Sequence, residues 1–183
     1  MLCQRITLTK SESNSHCQLI SVCAGCRSIT DFVKSKPSSA RSRKKDCDTS
    51  TLLHQVRGVY AELATRPLRG HCIGRTTCCH FQLTGKTPYL TRGEAMIAAQ
   101  AWRASGRKQM PVTADGACPF LKQGLCQIYE SRPFGCRTHF CEAAGGQTPR
   151  ALIRDLIQRL EDIDRSLGGE GASNFHSAIK PFL

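Results

Sequence analysis

The segment HCIGRTTCCH, residues 71–80, contains three cysteines and two histidines in ten positions. A second segment, CPFLKQGLCQIYESRPFGCRTHFC at residues 118–141, adds four cysteines among proline and glycine residues. Loops can turn several side chains toward one point, and metal bonds to them can replace a missing apolar core. The two segments therefore predict a metal site that organises the fold. Its predicted ligands are Cys72, Cys78, Cys79, Cys118, Cys126, Cys136 and Cys141.

Disulfides and inert packing are the two alternative roles for these cysteines. Packing as small apolar residues explains one or two of them, but not an adjacent pair with four more among turns. Disulfides need an oxidising compartment, and the N-terminal residues lack the order of a secretory signal peptide. No apolar run approaches the roughly 20 residues of a membrane span. We therefore expect a cytoplasmic protein, with no membrane association, in which clustered thiols bind metal.

The spacing of the ligands leaves the identity of the metal open. A structural zinc ion takes four ligands. Seven thiols and one histidine would fill two such sites, and the candidate histidines are His71, His80 and His139. Alternatively, four thiols could hold an iron–sulfur cluster and leave three over. The side chains of Cys78 and Cys79 diverge in a helix or a strand, so the two thiols can share one ion only in a bent loop. Otherwise they face different ions, or one is a ligand and the other a redox thiol.

Helical patterns surround the two cysteine segments. Apolar residues recur at intervals of three and four in residues 51–67. Thr91 and Glu94 form a capping-box pattern that predicts the start of a second helix. Thr148 is the predicted N-cap of a third helix, which Gly168 ends. The expected fold class is mainly α: a small helical domain with an irregular, cysteine-rich loop lobe that metal stabilises.

The positive charge of the chain is concentrated in part at its beginning. The formal net charge is +12, and residues 1–50 carry nine Lys or Arg against four Asp or Glu. Residues 33–50 have no sustained apolar period, which is typical of a disordered segment. We therefore predict a basic, disordered arm at residues 1–50 and a cysteine-cluster metal-binding domain at residues 51–183. The basic arm makes a weak case for nucleic acid or an anionic protein as partner. The case is weak because thiolate ligands would offset part of the positive charge of the chain.

The two segments resemble the YkgJ family of cysteine-cluster proteins, also described as zinc- or iron-chelating domains. The resemblance rests on the CC pair, on CPFL at residues 118–121 and on C-x-IYE-x-RP-x2-CR at residues 126–137, and it covers roughly residues 50–183. It implies a zinc or iron ion or an iron–sulfur cluster, with a redox role in the last case. The family's first motif is C-x2-C-x2-CC, but Arg75 stands here at its second cysteine.

This substitution reduces the eight thiols of the family to seven. A histidine could replace the lost ligand, or the position could stay open, as in catalytic zinc sites. Arg75 could also offset thiolate charge, as Arg132 and Arg137 could, and we favour this structural compensation.

The IYESRP stretch, residues 128–133, is predicted to form a turn with an Arg–carboxylate hydrogen bond that keeps Cys126 and Cys136 in register. A general-acid role for Glu130 is the less favoured alternative. Because a similar cluster occurs in flagellin lysine N-methylases, the resemblance also admits a protein-modifying enzyme, either methylase-like or an oxidoreductase. A basic zinc module that binds nucleic acid or protein is the remaining alternative.

Overall fold

The computed structural model describes residues 40–113 and 116–183, with side chains from residue 48 onward. The described residues form a mainly α structure with two small antiparallel sheets, which confirms the predicted fold class. The helices are α1 (Ala40–Thr65), α2 (Phe81–Thr84), α3 (Arg92–Ala104), α4 (Phe134–Thr138), α5 (Arg154–Ser166) and α6 (Phe175–Ile179). Strand β1 (Tyr89–Leu90) pairs with β4 (Ser173–Asn174), and β2 (Leu121–Lys122) pairs with β3 (Leu125–Cys126). None of the described helices has the length and apolar content needed to cross a lipid bilayer.

Helices α1, α3 and α5 pack around a shared aliphatic core. Its buried side chains lie at helical spacing, as the sequence pattern predicted. They include Val56 and Val59 of α1 and Leu156 of α5, all fully buried. At the start of α3, a Cβ on Gly93 would lie 2.9 Å from Val56 Cγ2. Glycine therefore allows α3 to approach α1 closely at its first turn.

An aromatic cluster connects the two cysteine segments to the helices. Phe81 follows the Cys78–Cys79 pair, and Phe120 follows Cys118. The ring of Phe175 in α6 lies 5.5 Å from the rings of both, and Trp102 of α3 lies 4.9 Å from Phe120. Buried aromatic side chains contribute large apolar areas. Both segments are thus anchored on the α3–α6 face by residues next to their cysteines.

Helix α1 begins earlier than its apolar pattern predicted. The pattern began at residue 51, whereas the helix begins at Ala40. Residues 40–50 contain one Ala, two Arg and two Lys, which are good helix formers but give no apolar period. The boundary predicted at residue 50 therefore falls inside α1. Residues 1–39 lie outside the described residues, so the basic arm and its anionic partner stay predictions there.

Helix α5 begins later than predicted, although its end and the start of α3 are as expected. The capping box of Thr91 and Glu94 is present, and Gly168 has φ +72° just after α5. Thr148, however, is not the N-cap of α5, because a 3-10 turn over Arg150–Leu152 precedes the helix and Ile153 stands at its N-cap position. The backbone N–H of Thr148 donates to Thr138 O at 2.8 Å, so Thr148 belongs to the loop before this turn.

We expect Asp164→Ala to lower the free energy of unfolding by about 2–4 kcal/mol, because it leaves two backbone N–H groups unpaired. The side chain of Asp164 is 1% exposed and accepts hydrogen bonds from Arg92 N–H at 2.6 Å and Gly171 N–H at 2.9 Å. Urea unfolding measures the loss. The exposed Asp162, which contacts only the Arg165 side chain through its carboxylate, is the control, and Asp162→Ala should cost less than about 1 kcal/mol. Equal losses in the two variants would contradict the buried role of Asp164.

Candidate metal centre

All seven predicted ligands line one cavity of about 340 Å³. The cavity lies between the two cysteine segments, and each of its seven cysteines is a free thiol. The disulfide alternative is therefore absent from the described residues. The structure brings together Cys72, Cys78, Cys79, Cys118, Cys126, Cys136 and Cys141.

A 3-10 turn at Thr77–Cys79 carries the adjacent cysteine pair. Thr76, just before it, has φ +56°, so the chain turns sharply into the pair. The backbone of the second segment then lies directly against this turn, because Cys118 N–H donates to Cys79 O at 2.7 Å. This backbone hydrogen bond between the segments places Cys118 beside the Cys78–Cys79 pair.

The other thiols are placed by short elements of the second segment. Cys126 ends β3, where it is opposite Leu121 of β2, and Cys136 lies within α4. Cys141 precedes a tight turn that ends at Gly145, with φ +108°. A Cβ on Gly145 would lie 2.8 Å from Gly70 Cα. This close glycine contact holds the end of the second segment against the beginning of the first.

Burial keeps several of these thiols protonated when no cation is present. It raises the pKa of Cys118 to about 12, and it also raises the pKa values of Cys126 and Cys136. A bound metal cation reverses this effect, since it stabilises coordinating thiolates. The cavity therefore suits thiolates only when they are neutralised by a cation.

Cys78 and Cys79 differ in acidity although they are adjacent. A hydrogen bond from the Cys79 thiol lowers the pKa of Cys78, and a further side-chain hydrogen bond with Cys141 acts in the same direction. The same contact, together with burial, raises the pKa of Cys79. Cys78 is therefore the more acidic thiol of the pair.

Arg132 places an unpaired donor at this cavity. Its guanidinium lies 3.9 Å above the centre of the Tyr129 ring, and it lines the cavity with the thiols. Its Nε is buried and has no hydrogen-bond partner within the described part of the chain. The positive charge also helps to lower the pKa of Cys78. A buried cationic donor without a partner fits a cavity that holds negatively charged metal thiolates.

The IYESRP stretch forms a turn, but the predicted Arg–carboxylate hydrogen bond is wrong. The turn is a 3-10 helix at Tyr129–Ser131. Arg137 donates instead to two backbone carbonyls, from Nε to Arg132 O at 2.8 Å and from Nη2 to Glu130 O. Backbone carbonyl oxygens are hydrogen-bond acceptors too, so the guanidinium of Arg137 is paired without a carboxylate. The side chain of Glu130 is exposed and outside the cavity, so its position gives no support to a general-acid role.

The three candidate histidines lie in different places. His139 lines the thiol cavity, whereas His71 and His80 are not among its lining residues. Within residues 48–113 and 116–183, no three His, Cys, Asp or Glu side chains stand in an arrangement ready to hold an ion. The residue types and their number fit a thiolate metal centre, but metal binding would have to draw the side chains inward.

Arg75 faces a second cavity that adjoins the first. This cleft has a volume of about 640 Å³, and Arg75 is exposed on it. Cys78, His139 and Cys141 line both cavities and form part of the wall between them. Lys86 also lines both cavities. No motif in the sequence pointed to Lys86, because it lies in a loop without a pattern.

A small helical domain with seven free thiols around one cavity defines a cysteine-cluster protein. Residues 71–153 match the CxxCxxCC family model, described as "Putative zinc- or iron-chelating domain". The resemblance seen in the sequence, to the family for which YkgJ is the label, is thus confirmed for this segment. Comparison with curated proteins and with solved structures gives no significant match.

Proposed function

We propose that this domain holds a metal centre of zinc or iron in the thiol cavity, with the seven cysteines as its ligands. The observation that carries the proposal is that two segments distant in sequence direct all seven thiols to one cavity. Packing alone gives no reason for seven cysteines to meet, whereas thiolates are preferred ligands of both metals.

The number of thiols supports a centre with more than one metal ion. A single tetrahedral zinc uses four ligands and an iron–sulfur cluster is also commonly held by four cysteines. Seven thiols exceed that number, so two zinc ions, or one iron–sulfur cluster beside a second ion, account for them. Iron would add electron transfer to the function, because zinc has no redox chemistry.

Arg132 and the apolar lining would tune this centre. The unpaired Arg132 Nε would donate to a ligand sulfur and offset part of the thiolate charge. Ile73, Phe120 and Phe140 line the same cavity and would limit the access of water to the ligands. Residues around a metal centre set its charge and exposure in this way.

Metal analysis and an absorption spectrum of protein purified without oxygen test the proposal. We expect at least one zinc or iron per chain. A brown protein with visible absorbance would identify an iron–sulfur cluster, whereas a colourless protein with stoichiometric zinc would identify a zinc centre. A folded chain that contains neither metal, and takes up neither when they are added, would contradict the proposal.

A further inference from the structure

The proposed centre has one ligand fewer than two four-coordinate metal ions need. Seven thiols line the cavity, and two tetrahedral ions that share no ligand need eight. The following inference rests on the proposed metal centre and concerns its last ligand.

The wall between the thiol cavity and the neighbouring cleft contains two of the thiols and one histidine. Cys78, Cys141 and His139 line both cavities. Cys78 and Cys141 are close enough to share a side-chain hydrogen bond. A nitrogen donor is therefore present on the same wall as two candidate sulfur ligands.

The backbone around His139 fixes its place among the thiols. His139 N–H donates to Gly135 O at 3.0 Å, and the residue forms an antiparallel bridge with Gln147. Cys136 precedes it by three residues and Cys141 follows it by two. The backbone thus holds His139 between two residues whose thiols line the same cavity.

The two histidines of the first segment, His71 and His80, are placed differently from His139. His71 is exposed, and His80 forms a bridge with Ala117. Neither lines the thiol cavity or the cleft. Of the three candidate histidines, His139 is therefore the one that lies beside the predicted sulfur ligands.

We infer that His139 is the eighth ligand of the metal centre and binds beside Cys78 and Cys141 at the wall of the cleft. A neutral imidazole nitrogen is an ordinary partner for thiolates on zinc. Arg75 is exposed on the same cleft, so a ligand placed at position 75 would also lie near Cys78 and Cys141.

Titration of the full metal-free chain with Co²⁺ tests the inference, because the visible bands of this ion report both stoichiometry and ligand type. We expect His139→Ala to lose one class of bound ion or to bind it more weakly. The loss of a direct ligand should exceed the roughly 10- to 100-fold that an outer partner costs. His71→Ala is the matched control and should bind as the unchanged protein does.

Two further variants separate a lost ligand from a damaged fold. His139→Cys should keep the stoichiometry and strengthen the sulfur-to-cobalt charge-transfer band. Arg75→Cys, added to His139→Ala, should restore binding, because Arg75 lines the same cleft as Cys78 and Cys141. If His139→Ala binds Co²⁺ with unchanged stoichiometry, affinity and spectrum, His139 is not a ligand, although the metal centre stands. If the unchanged chain binds neither Co²⁺ nor zinc or iron, the metal centre itself is wrong and the inference falls with it.

Discussion

Replacing Cys136 by serine is expected to release metal and to lower the free energy of unfolding of the metal-loaded domain by at least about 3 kcal/mol. Structural zinc contributes roughly 10–16 kcal/mol in small domains, and the loss of one thiolate removes part of it. Cys136 lies in α4, and its sulfur is close enough to Cys118 and Cys126 for their charges to influence its pKa. Metal content after dialysis and urea unfolding of the loaded protein measure the two effects.

Cys47→Ser is the matched control for this variant. Cys47 lies in α1, outside the predicted ligand set, so its replacement should leave metal content unchanged. A second comparison uses the metal-free proteins, in which Cys136→Ser should cost only the roughly 1 kcal/mol of an ordinary point substitution. A loaded Cys136→Ser protein with full metal content and unchanged stability would remove Cys136 from the ligand set.

The convergence of the thiols was predictable because the two segments combine cysteines with turn-forming residues, a composition that helices and apolar cores do not have. The segments around Cys72 and Cys118 combine cysteine with Gly and Pro, and the structure brings them to one cavity. Local signals also predicted α3 and the end of α5. The start of α3 and the end of α5 are encoded by neighbouring residues, so these two features do not depend on which distant segment packs against them.

The features that the sequence did not predict depend on distant partners. Thr148 has the residue type of a helix cap, but its N–H pairs with Thr138 O, and α5 begins at Arg154 instead. The position of His139 on the cavity, in contrast to that of His71, becomes visible only when both segments are folded. Local propensity is a weak prior that tertiary contacts override.

Glu94 links the helical core to the metal centre. Its carboxylate, 3% exposed, accepts from Thr91 N–H at 3.0 Å and from the Thr91 hydroxyl at 2.9 Å. The other oxygen accepts from Phe134 N–H at 2.7 Å, at the start of the helix that carries Cys136. The capping-box pattern predicted the first contact but not the second, which joins residues 40 positions apart.

We expect Glu94→Ala to lower the free energy of unfolding by about 2–4 kcal/mol. The variant removes a helix cap, which contributes about 1 kcal/mol, and leaves the buried Phe134 N–H unpaired, which costs about 1–3 kcal/mol more. Because α4 then loses the anchor at its start, Co²⁺ affinity should also fall, although no ligand has changed. Urea unfolding of the metal-free protein and Co²⁺ titration measure the two losses separately. Unchanged stability in the metal-free protein would show that Glu94 does not hold α3 and α4 together.

Glu94→Gln distinguishes the hydrogen bonds of this side chain from its charge. The amide oxygen can still accept from Phe134 N–H, so we expect a smaller loss than in Glu94→Ala. Burial raises the pKa of the Glu94 carboxyl in the folded protein, so the folded state binds its proton more tightly than the unfolded state does. The stabilisation from that proton is fully present below the unfolded pKa and is lost as the pH rises toward the folded value. The stability of the unchanged protein relative to Glu94→Gln should therefore decrease from about pH 4 upward, as urea unfolding across this range would measure. A difference that increases with pH would mean that the hydrogen bonds to the carboxylate outweigh its burial.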